Sequence, residues 1–131
     1  MNEVAFDLTA TRARFGGDEE LVRDVIQYYL EDAPEYLDRC REAFDRKDWE
    51  TVGRCAHSLK SLAANFNAAD AVQAAREVEN ITLAQSDPDR LLPDPQLDQP
   101  AGQKRLDEKI EAMDRLCRAL RNALDDFASQ A

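Results

Sequence analysis

Apolar residues recur three and four positions apart along almost the whole chain, the spacing that lines one face of an α-helix. Runs of alternating β-branched and aromatic residues are missing, so the pattern predicts helices throughout. Asp7 offers an N-cap for a short helix to about Phe15, which Gly16 and Gly17 end. Asp18 caps a long second helix with its apolar face at Val22, Val25, Ile26, Tyr29, Ala33, Tyr36, Leu37, Cys40 and Phe44. Pro34 removes one backbone hydrogen bond from it, but the stripe keeps its phase, which predicts one kinked helix rather than two. Asp48 caps a third helix to Asn65 or Phe66, with Trp49, Val52, Ala56, Leu59, Ala63 and Phe66 inward. A fourth runs from about Ala69 to Gln85 on Ala71, Ala74, Ala75, Val78 and Ile81.

Residues 86–102 interrupt this pattern. Four of the five prolines fall there, among Asp and Gln, which predicts a solvated loop pinned by Leu91, Leu92 and Leu97. The last helix, from about Gln103 to Ala128, carries Leu106, Ile110, Met113, Cys117, Leu120, Leu124 and Phe127 at steps of four and three. The predicted fold is therefore all-α: an antiparallel four-helix bundle with a short extra N-terminal helix. One domain spans residues 1–131, with a core bundle at about 18–128, and no solenoid repeat interrupts it.

At 131 residues the chain has the length of a single domain, and its 44% hydrophobic and 34% charged content fits a globular protein. The formal charge of −10 repels phosphate backbones and anionic lipid, which disfavours nucleic-acid and membrane partners. No segment resembles a secretory signal or a membrane span, so the expected setting is the cytoplasm. Cys40, Cys55 and Cys117 lie in helical patterns and read as packed, reduced thiols. One histidine and scattered cysteines are poor material for a zinc site.

That histidine, His57, changes the picture. It points about 140° away from the middle of the third helix's apolar stripe and should face water. Its helical neighbours are Gly53, Lys60, Ser61 and Ala64, all small except for one ammonium. A glycine inside a helix costs about 1 kcal/mol relative to alanine, so Gly53 asks for a reason. Either it opens the approach to His57 or it relieves crowding between helices. Arg54 and Lys60 make a small basic patch in an acidic body. Imidazole titrates near neutrality, and one ring nitrogen can attack an electrophile if the other donates its proton to a fixed acceptor. Glu79, beside the inward Val78, is the candidate acceptor. Lys60 can stabilise the charge of a phosphoryl group in transfer. The chain lacks both Gly-x-x-x-x-Gly-Lys-Ser/Thr and Gly-x-Gly-x-x-Gly, so ATP chemistry is not expected and the phosphoryl group must come from another protein.

The segment Ala56-His57-Ser58-Leu59-Lys60-Ser61-Leu62-Ala63-Ala64-Asn65-Phe66-Asn67-Ala68 resembles the signature of histidine-containing phosphotransfer (HPt) domains. Phe6-Asp7, the run from Arg14 to Val22, Tyr29 to Pro34, Lys47-Asp48-Trp49 and Val78-Glu79 extend the resemblance over about residues 5 to 84. It implies a phosphorelay carrier. His57 would be phosphorylated by an aspartyl-phosphate receiver domain, with Lys60 stabilising charge and Glu79 orienting the ring. Gly53, Arg54, Ser61 and Ala64 would meet the partner. The partners implied are response-regulator receivers and a hybrid sensor kinase. The chain would act as a monomer without a cofactor, Mg²⁺ being held by the receiver. Ser61 and Asn67 stand where the family usually has glycine; asparagine tolerates the left-handed conformation that ends helices.

A second function class stays open, a non-catalytic module that binds receivers or another regulator without carrying phosphate. A metal- or cofactor-binding bundle lacks the inward Glu-x-x-His pairs such sites use.

Overall fold

The computed structural model describes residues 6–82 and 95–129. Five α-helices follow one another: α1 (Leu8–Arg14), α2 (Glu19–Asp45), α3 (Trp49–Ala64), α4 (Ala69–Thr82) and α5 (Pro100–Ser129). A short 3₁₀ turn, Pro95–Asp98, precedes α5, and there is no strand among the described residues.

The caps explain the boundaries. Asp7, Asp18 and Asp48 each accept hydrogen bonds from backbone N–H groups of the turn they start, as N-caps of α1, α2 and α3. Gly16 and Gly17 both adopt positive φ between α1 and α2, where a side chain would be strained. Asn67, after α3, has φ 53°, the left-handed state anticipated for it. α2 passes through Pro34 as one helix.

α2 to α5 form the antiparallel bundle, each packed against the next, with α5 closing on α2. The register is visible in pairs: Tyr29 of α2 meets Phe66, just past the end of α3, edge-on at 5.6 Å, and Phe44 of α2 meets Trp49 of α3 at 5.7 Å. The core takes the predicted stripes, with Ile26, Leu37, Leu59, Val78, Ile110, Met113 and Leu120 all buried. Val25, Tyr36, Phe44, Trp49 and Phe127 are only half-buried and pack against its edge. The thiols of Cys40, Cys55 and Cys117 are buried and free. The Tyr29 hydroxyl donates to the Cys117 carbonyl oxygen at 2.9 Å, joining α2 to α5 inside the core.

Two boundaries differ from expectation. α5 starts at Pro100 instead of Gln103, because proline fits the first helical position, where its missing N–H costs nothing. The end of the Pro-rich segment is therefore helical, and Leu97 is buried where the turn packs on α5, pinning the segment as expected. α4 is described to Thr82; Leu91, Leu92 and the expected helical residues 83–85 lie outside the described residues. No described helix is long and apolar enough to cross a membrane.

α1 lies outside the bundle proper but is tied to it. The Asp7 N–H donates to the Phe66 carbonyl at 2.8 Å, the Thr11 hydroxyl to the Asn65 carbonyl at 2.7 Å, and the Arg14 guanidinium to the Ala64 carbonyl at 3.0 Å. All three bonds fall on the C-terminal end of α3, whose carbonyls have no partner within the helix.

Candidate functional site

The interface between α3 and α4 is the most extensive in the bundle, and it carries the site. His57 stands on the outer face of α3 with 59% of its side chain exposed. Across the interface, Glu79 has only 7% of its side chain exposed. An unpaired carboxylate so buried would be costly, and both of its oxygens are engaged. Oε2 lies 2.6 Å from His57 Nδ1, and Oε1 accepts from Lys60 Nζ, also at 2.6 Å.

This geometry sets the chemistry of the ring. An ionised carboxylate can only accept, so the proton between His57 and Glu79 belongs on Nδ1. In the neutral imidazole, Nε2 then carries the lone pair, and it has no protein partner among the described residues. The result is a fixed ring with its basic nitrogen turned to solvent. Such an arrangement can attack an electrophile brought by a partner large enough to exclude water.

Sequence reasoning brought three residues to this site, and the structure groups all three: His57, Lys60 and Glu79 share one hydrogen-bonded cluster. It differs on how Lys60 sits. Lys60 is not a free, exposed ammonium; 24% of its side chain is exposed and its charge is paired with Glu79. Three residues after His57 the helix has turned about 60° toward α4, which explains the partial burial.

Gly53 also departs from expectation. It is buried, not part of an open approach to His57. Four residues before His57 the helix has turned about 40° to the same side as Lys60. Ser61 and Arg54 are exposed and Ala64 is half-buried. Arg54 pairs with Glu50 one turn earlier, so the anticipated basic patch of Arg54 and Lys60 is largely neutralised by carboxylates.

Sequence reasoning missed the contacts of α1. Asp7 was legible as a cap, but nothing local marked Thr11 or Arg14 as ligands of α3 carbonyls fifty and more residues away.

A buried carboxylate holding an exposed imidazole on a four-helix bundle is an arrangement able to take up a phosphoryl group at the surface. Comparison with protein families agrees: the Hpt domain matches residues 24–130, and the chain belongs to that family. Histidine phosphotransfer in two-component phosphorelays is the activity this membership implies. The match takes in α3, α4 and α5 and begins within α2, so it reaches further toward the C-terminus than the motif resemblance and leaves α1 outside. Searches of curated proteins and of solved structures returned no match.

Proposed function

We propose that His57 is the phosphoryl-accepting residue of a relay between receiver domains. The Nε2 lone pair attacks the phosphorus of a receiver's aspartyl phosphate, an N–P bond forms, and the P–O bond to the aspartate breaks. The aspartate leaves as a carboxylate. In the second half the carboxylate of another receiver attacks the same phosphorus and Nε2 leaves with its lone pair. Nδ1 keeps its proton in both halves, donated to Glu79.

The single observation that carries this reading is the His57 Nδ1 to Glu79 Oε2 contact of 2.6 Å beneath an exposed ring. Lys60 is the cation nearest to the site by its shared carboxylate, and it stabilises the phosphoryl oxygens during transfer. Ser61, Arg54 and the Ala64 backbone form the rim that the receiver meets. The chain works as a monomeric, cytoplasmic carrier and makes no phosphohistidine from ATP. Mg²⁺ belongs to the receiver, which is free-standing or part of a hybrid sensor kinase.

The test is incubation with receivers bearing radiolabelled phosphate. Label should appear on the chain, be labile in acid and stable in base, and vanish in His57→Gln. A stable complex with receivers but no label on the chain would favour the binding-only module.

A further inference from the structure

The charges of the cations beside His57 are largely satisfied within the chain. Lys60 is paired with Glu79 and Arg54 with Glu50. A partner that presents an aspartyl phosphate also presents the carboxylates that hold its metal, so it meets this chain with an acidic face. A body of net charge −10 repels such a face unless positive groups are placed where it lands.

Two guanidinium groups are so placed. Ala64 is seven residues after His57, about 10 Å along α3 and on the same outer row, with Ser61 between them. The Arg14 guanidinium donates to the Ala64 carbonyl at 3.0 Å and is exposed, so it stands at the end of that row. Arg76 is exposed on α4, three residues before Glu79. The helices are antiparallel and Glu79 faces His57 and Lys60, so Arg76 lies one turn further toward the C-terminus of α3, beside Ser61 and Ala64. Its side chain bonds the Gln73 amide oxygen at 3.3 Å. Neither arginine has a carboxylate partner among the described residues.

We propose that Arg14 and Arg76 are the electrostatic docking contacts for the acidic face of the receiver, flanking the row His57–Ser61–Ala64 from α1 and α4. The inference rests on the phosphorelay reading above. It gives α1, which the family match does not include, a part in partner selection: its hydrogen bonds to the end of α3 hold Arg14 in place. Interfacial rim charges act mainly on association and its salt dependence. A cap on the C-terminus of α3 would act on stability instead.

The experiment uses the whole chain and a radiolabelled receiver that transfers to the wild type, at several receiver concentrations and two salt levels. Arg14→Glu and Arg76→Glu should each raise the half-saturating receiver concentration roughly three- to tenfold at low salt. The rate at saturation should stay within about twofold, the salt dependence should flatten, and the double variant should exceed either single one. Arg23→Glu, the same charge change on the α5 side of α2, should leave half-saturation near wild type. Arg14→Gln, which keeps a donor for the Ala64 carbonyl, should give a smaller shift in the same direction as Arg14→Glu. An unchanged half-saturation in both glutamate variants overturns the proposal, as does an equal shift in Arg23→Glu. So does a lower melting temperature with a salt-independent loss in rate, which would make Arg14 a cap and nothing more. Phosphoramidate, a small donor with no surface to dock, should label His57 in the wild type. Failure there would count against the phosphorelay reading of His57, and not against the docking residues alone.

Discussion

The bundle buries polar groups in two seams, and they are satisfied in opposite ways. Between α2 and α5 the Tyr29 hydroxyl bonds the Cys117 main-chain oxygen, so donor and acceptor are both sealed in the core. Between α3 and α4 the Glu79 carboxylate is also buried, yet its partners are an exposed imidazole and a half-buried ammonium. The first arrangement closes on itself and holds two helices together. The second points outward and delivers a negative charge to the surface ring. A buried polar group whose partners are exposed side chains is a support for chemistry; one whose partner is buried backbone is a fastening.

The contrast is sharpest when each seam is cut. Glu79→Ala should slow transfer by about ten- to hundredfold, the range seen when the group orienting a functional histidine is lost. Its two partners can turn to water, so the melting temperature should move little. A transfer assay beside a thermal scan checks both, and unimpaired transfer would separate Glu79 from the chemistry. Lys60→Ala strikes the same carboxylate from the other side. It leaves a buried charge with one partner instead of two, so it should cost about 1–2 kcal/mol of stability as well as slowing transfer, measured by urea unfolding. Tyr29→Phe should reverse the balance: about 1 kcal/mol lost, because the Cys117 carbonyl stays buried without its donor, and transfer unchanged.

The core thiols give a pH test of the fastening seam. Burial pushes the Cys40 thiol from its ordinary value of 9.0 up to about 12 and the Cys117 thiol up to about 11; it raises Cys55 as well. Below about pH 9 these thiols are protonated both folded and unfolded, so their contribution to stability is intact. As pH rises from 9 toward 12 the unfolded chain ionises first, and stability falls. Unfolding curves across that range, with a triple Cys→Ala variant as reference, should show a steeper loss in the native chain; burial also raises the Tyr29 hydroxyl, which leaves a smaller loss common to both. The smallest effect belongs to Ser61→Gly, which should leave transfer equal or faster and cost at most about 1 kcal/mol as a helical glycine.

Much of this was legible in one dimension. Periodicity marked the four bundle helices because each buries a single stripe, and aspartates at 7, 18 and 48 marked three starts because a cap acts within one turn. His57 stood out by lying off its stripe, and Glu79 by lying next to an inward valine. Gly53 and Lys60 are more buried than a helical wheel alone indicates, for one shared reason. Both sit a few tens of degrees from His57 on the wheel, and tertiary packing, for Lys60 the approach of Glu79 on α4, decides whether that margin is open or covered. Arg14 was invisible because its meaning comes from a carbonyl fifty residues away.

The central claim is that Glu79 keeps the proton on Nδ1 and leaves Nε2 to react. Nitrogen NMR of ¹⁵N-histidine-labelled protein, before and after phosphorylation, reads both nitrogens of the sole histidine directly. The neutral ring should show a protonated Nδ1 and a bare Nε2, and phosphorus coupling should then appear at Nε2. A proton resident on Nε2, or a phosphoryl group on Nδ1, would contradict the account.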